Sequence, residues 1–65
     1  MIAYEFYRFA EVGPALDQEA IMAIDDDQAR SFGELILLCS DDTACIEIHP
    51  PLGPVITLRR ESLCS

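Results

Sequence analysis

Residues 50–54 read Pro-Pro-Leu-Gly-Pro, and no other segment restricts the fold of this chain so strongly. A proline has no backbone N–H and a fixed φ, so this run cannot lie inside a sheet ladder. Side chains alternate on both sides of it. In residues 44–49, Ala44, Ile46 and Ile48 take one face, and Cys45, Glu47 and His49 take the other. In residues 55–60, Ile56 and Leu58 point inward, and Thr57 and Arg59 point outward. Period-two alternation marks a strand. The two strands are expected to form an antiparallel hairpin whose loop is longer than the two-residue type.

A third strand is expected at residues 2–9. Ile2, Tyr4 and Phe6 share one face, and Ala3, Glu5, Tyr7 and Phe9 share the other. Aromatic and β-branched residues favour the pleated surface. The second face is unusually apolar for a solvated one, so it is either covered or meets a partner. Gly13-Pro14 ends this strand and is expected to open a helix, with Pro14 in the first turn. Asp17 and Glu19 suit the start of a helix, and Leu16, Ala20, Ala23 and Ile24 fall on one face of it. The unbroken apolar run over residues 20–24 leaves a short strand as the alternative there. Asp25-Asp26-Asp27 marks a boundary, since aspartate caps helices and stabilises their first turn. A second helix is expected over residues 27–39, with Ala29, Phe32, Ile36 and Cys39 on its apolar face. Gly33 weakens its middle by about 1 kcal/mol relative to alanine. Ser40-Asp41-Asp42-Thr43 is a turn by composition. The expected fold is a single α+β domain over residues 1–65, in the order β-α-α-β-β, with a three-stranded, largely antiparallel sheet packed on two helices.

A chain of 65 residues is one domain at most, and small domains often need disulfides, metal or association to hold. The cysteines are Cys39, Cys45 and Cys64, an odd number and too few for a disulfide framework. They are read as reduced thiols, with Cys39 and Cys45 in or near the core, Cys64 exposed, and a Cys39–Cys45 bridge as the alternative. The segment Met1-Ile2-Ala3-Tyr4-Glu5 lacks the positive region of a secretory signal. Leu35-Ile36-Leu37-Leu38-Cys39 is far too short to span a membrane. A soluble, cytoplasmic protein is expected.

Chemistry-bearing patterns are weak. Asp25-Asp26-Asp27 lacks the alternating acids and turn glycine of a calcium loop. Cys39 and Cys45 are separated by five residues, and Cys45 and His49 by three, which is not a zinc-finger pattern. The ordinary readings are a helix cap for the acids and an exposed loop position for His49. There is no phosphate loop and no nucleophile elbow. No enzyme activity, metal or cofactor is expected.

Charge gives the strongest lead. Twelve acids face four arginines, for a net charge of −8. The chain contains no lysine. That balance excludes nucleic-acid binding by phosphate neutralisation. A hydrophobic content of 51 % excludes an acidic disordered tail. The acids either keep a small apolar domain soluble or form a surface that a basic partner reads as phosphate. The nominated partner-binding residues are Asp25, Asp26 and Asp27, then Asp17, Glu19, Asp41 and Asp42.

In its size, its clusters Asp25-Asp26-Asp27 and Asp41-Asp42 and its compact α+β pattern, the chain resembles the small acidic anti-CRISPR proteins of phages and mobile elements. The resemblance covers the whole chain in character and rests on no diagnostic motif. It implies a stoichiometric inhibitor, monomeric or a small homo-oligomer. Such an inhibitor imitates DNA and occupies the DNA-binding or PAM-reading surface of a Cas protein or a CRISPR surveillance complex, a type I complex being the leading example. It makes no direct contact with nucleic acid or membrane. The competing reading is an antitoxin-like or oligomerising interaction module that binds through an apolar face carrying Tyr7 and Phe9.

Overall fold

The computed structural model describes residues 1–60. Five elements follow one another: β1 (Ile2–Phe9), β2 (Ala15–Ala23), α1 (Asp26–Cys39), β3 (Cys45–His49) and β4 (Ile56–Arg59). The strands form one antiparallel sheet in the order β2-β1-β3-β4. The fold is therefore α+β as expected, with four strands and one helix in place of three strands and two helices.

The difference lies in residues 15–23. The expected first helix is strand β2, paired residue by residue with β1 from Ile2↔Ala23 to Arg8↔Asp17. Ala, Leu, Gln, Glu and Met are strong helix formers, but the antiparallel partner supplied by β1 overrides that weak preference. Gly13 adopts φ 97° in the connection, a conformation glycine reaches without strain, and this turns the chain back onto β1. A register shift opposite Arg8 and Phe9 leaves Leu16 as an extra residue at the start of β2.

The triple aspartate therefore joins a strand to a helix. Asp25 is the N-cap of α1, and its side chain accepts from the Gln28 backbone N–H at 2.8 Å. Gln28 Oε1 in turn accepts from the Ile24 N–H at 2.8 Å. The first bond satisfies a donor that a helix start leaves open, and the second ties the residue before the cap to the first turn. The helix ends at Ser40, whose N–H donates to the Ile36 carbonyl.

One face of the sheet carries the core. Tyr4, Phe6, Ala23, Ile46, Ile48 and Leu58 pack against Ala29 and Leu37 of α1, with Ile21, Phe32, Ile36 and Ile56 at the margin. Full burial of a side chain such as Leu37 contributes about 2 kcal/mol. The helix lies across β2, β3 and β4. Its buried line is Ala29, Gly33 and Leu37. That line is rotated from the expected Ala29–Phe32–Ile36–Cys39 stripe, and Cys39 is consequently exposed. Gly33 sets the approach of helix to sheet. A methyl group there would lie 2.6 Å from Leu58 Cδ1 and 3.1 Å from Ile48 Cδ1.

The other sheet face has no covering element among the described residues. Pairing puts Ala3, Glu5, Tyr7 and Phe9 on it, beside Gln18, Ala20 and Met22 of β2 and Cys45, Glu47 and His49 of β3. The apolar second face of β1 is thus the open face of the sheet. His49 belongs to the end of β3 and not to an exposed loop; its ring meets Tyr7 edge-on at 4.6 Å. No described helix is long and apolar enough to cross a membrane. Cys64 lies outside the described residues.

Candidate functional site

All seven nominated acids are exposed, but the fold disperses them. Asp25, Asp26 and Asp27 sit at the start of α1, over the end of the sheet where β1 begins and β2 finishes. Asp41 and Asp42 follow α1 at the opposite end, where Arg8 meets Asp17 at the start of β2. The helix of 14 residues separates the two groups by roughly 21 Å. Glu19 lies between them on β2, opposite Phe6. The acids are therefore spread along the length of the domain, on β2, the start of α1 and the turn after it, and do not gather in one patch.

Their duties differ. Asp25 caps the helix, as its residue type predicts. Asp26 Oδ1 accepts a 2.7 Å hydrogen bond from the Tyr4 hydroxyl. That hydrogen bond, with burial of the phenol and the negative charges of Asp26 and Asp25, pushes the Tyr4 hydroxyl up to about 12. Asp17 accepts from Arg8 Nε at 2.9 Å and from Nη2 at 2.6 Å, a bidentate pair. The Arg8 guanidinium holds the Asp17 carboxyl below its ordinary range, against the opposing effect of desolvation. Arg8 Nη1 reaches Asp42 at 3.4 Å and the buried Thr43 hydroxyl at 2.9 Å. One arginine thus joins β1, β2 and the turn before β3.

Glu19, Asp27 and Asp41 have no side-chain hydrogen bond or ion pair among the described residues. The Asp27 charge still favours the dipole of α1, in whose first turn it lies, whereas those of Glu19 and Asp41 serve no described contact. Among the other arginines, Arg60 donates to the Thr43 carbonyl at 2.9 Å and to the Ser40 carbonyl. It thereby serves the C-terminal end of α1, whose last turn has no basic residue.

A second group of polar residues occupies the open sheet face, and the nominated set does not include it. His49 Nε2 lies 3.2 Å from Glu47 Oε1 under the edge of Tyr7. Gln18 Nε2 donates to Glu5 Oε1 at 2.8 Å. Burial pushes the Cys45 thiol up, which disfavours a reactive thiolate. Among the described residues no three His, Cys, Asp or Glu side chains come together in a way that could hold a metal ion. No family model, curated protein or solved structure matches the chain.

Proposed function

We propose that this chain is a non-enzymatic inhibitor that acts by imitating DNA. Its acidic flank would occupy the DNA-binding, PAM-reading surface of a CRISPR effector in the bacterial cytoplasm, with a type I surveillance complex as the leading target. One observation carries this reading. Glu19 on β2, Asp27 in the first turn of α1 and Asp41 in the turn after α1 are exposed and are engaged by no cation among the described residues. Uncompensated charge on a small fold costs stability through self-repulsion, and a cationic groove on a partner offsets that cost.

The structure also selects the variant that tests it. Asp25 and Asp26 hold the helix start, so reversing the whole triple aspartate damages the fold as well as the surface. The combined variant Glu19→Lys, Asp27→Lys and Asp41→Lys leaves every described hydrogen bond in place. Capture of the surveillance complex by the wild-type chain, weakening with salt, is expected, together with loss of capture by this variant. Undiminished capture by a folded triple variant sinks the proposal.

The uncovered sheet face, with half-buried Tyr7 and Phe9, favours a second reading: an interaction module, antitoxin-like or oligomerising, that docks through apolar contact. Binding that holds its strength from low to high salt selects that reading over the first.

A further inference from the structure

We propose that β2 receives an extended, basic segment of the partner protein as a fifth strand of the sheet. The proposal rests on the reading of the chain as an acidic protein that engages a basic one, and it supplies the mode of contact.

The two edges of the sheet are built differently. The β4 edge is four residues long, follows Pro54 and carries Arg59. The β2 edge is nine residues long and contains no proline, lysine or arginine. Its one irregularity lies at its start, so the register from Asp17 to Ala23 is unbroken. Sheet edges are ordinarily blunted by short strands, lysine, proline or bulges. Past its start β2 has none of these; its charged side chains, Asp17 and Glu19 on the helix side, are acids, which repel an acidic strand and admit a basic one.

Its backbone is also oriented for pairing. The Arg60 N–H donates to the Ala44 carbonyl, and the Ala44 N–H donates to the Phe9 carbonyl. Antiparallel alternation from that point directs Cys45, Glu47 and His49 toward β1, and therefore Tyr4, Phe6 and Arg8 toward β2. The groups of β2 that bond to β1 then belong to Asp17, Glu19 and Ile21. Those of Gln18, Ala20 and Met22 point outward, and all three residues are exposed.

Charge decides the occupant. Glu19 stands on the helix side of this edge without a cation, and Asp25 and Asp27 continue the negative charge past its end. Arg8, the cation beside β2, is already bound to Asp17 and Asp42. A second copy would bring another net charge of −8 to the same edge. A strand with lysine or arginine at alternate positions would place cations against Glu19 and its other side chains over Ala20 and Met22.

Two synthetic peptides test this. One alternates lysine with valine and threonine; the other alternates lysine with proline, matching the charge but unable to add as a strand. The first peptide should slow amide exchange at Gln18, Ala20 and Met22 at least tenfold, and the second should not. Ala20→Pro removes an outward-facing N–H, besides fixing φ at that position, and should abolish binding of the first peptide while the chain stays folded. If that variant does not fold, N-methylalanine placed at position 20 by chemical synthesis replaces it. Equal, salt-sensitive binding of both peptides without amide protection overturns strand addition and leaves the acidic-surface reading standing. Binding of neither peptide at low salt overturns both.

Discussion

The Tyr4 hydroxyl donates to Asp26 Oδ1 at 2.7 Å, across 22 residues of sequence, and so ties the first strand to the first turn of the helix. Tyr4 itself is almost wholly buried, with only its tip reaching the acid. This bond separates the structural part of the triple aspartate from the part available to a partner.

Tyr4→Phe should keep the fold and lower the melting temperature by about 5 °C, the size of shift expected for one hydrogen bond in so small a domain. The bond also sets an alkaline limit. The Tyr4 hydroxyl is raised from 10.0 to about 12, so the folded state holds its proton more tightly than the unfolded chain does. The stability it contributes is complete below pH 10 and is lost as pH rises toward 12. Thermal melts across that range should fall less steeply for Tyr4→Phe than for the wild type.

Gly33→Ala opposes two effects. Alanine gains about 1 kcal/mol of helix propensity over glycine. Its methyl would meet Leu58 Cδ1 at 2.6 Å and Ile48 Cδ1 at 3.1 Å, and overpacking a core costs about 1–3 kcal/mol. Both neighbours are core residues, so the expected net effect is a loss of about 1 kcal/mol. Leu58→Val in the same chain should recover part of it. Urea midpoints of both single variants and the pair measure this coupling, and strict additivity would show that Leu58 is not the obstacle.

The same glycine shows how far the sequence could be read. Strands β1, β3 and β4 and the helix were legible because alternation, proline and the aspartate cap are local signals. That Gly33 is a point of close approach was not, because the reason for it sits on β3 and β4. Strand β2 reads as a helix in the sequence, with a strand over residues 20–24 only as the alternative, for a related cause. As an edge strand it is exposed from Ala15 to Ala20, so no period-two burial pattern marks it, and its residues favour helix. The acids were legible as a set but not as an arrangement. No local rule brings Asp17 and Asp42 to one arginine, or leaves Glu19, Asp27 and Asp41 without a cation.

Arg8→Gln should loosen the junction of β1, β2 and the turn at Thr43. The wild-type guanidinium holds the Asp17 carboxyl below 3.8, so the unfolded chain takes up this proton first as pH falls. The pair therefore stabilises the fold above about pH 4, and its contribution is lost on further acidification through the lowered value. Arg8→Gln should be less stable than the wild type at pH 7 and converge on it near pH 2. Parallel curves across that range would mean that Arg8 acts through packing alone.

Salt should move folding and binding in opposite directions. At about 0.01 M salt the screening length is roughly 30 Å, comparable to the longest dimension of the molecule, 29 Å. Every acid then repels every other across the domain. At about 0.15 M the length is roughly 8 Å, and only neighbours such as Asp25, Asp26 and Asp27 still interact. Added sodium chloride should therefore raise the melting temperature by several degrees, while it weakens any complex with a cationic partner. Glu19→Gln with Asp41→Asn removes two charges that make no described bond and lie in no helix turn. This variant should be more stable than the wild type at low salt and respond less to its addition. A melting temperature independent of salt in both proteins would show that the surplus charge is too widely spread to strain the fold.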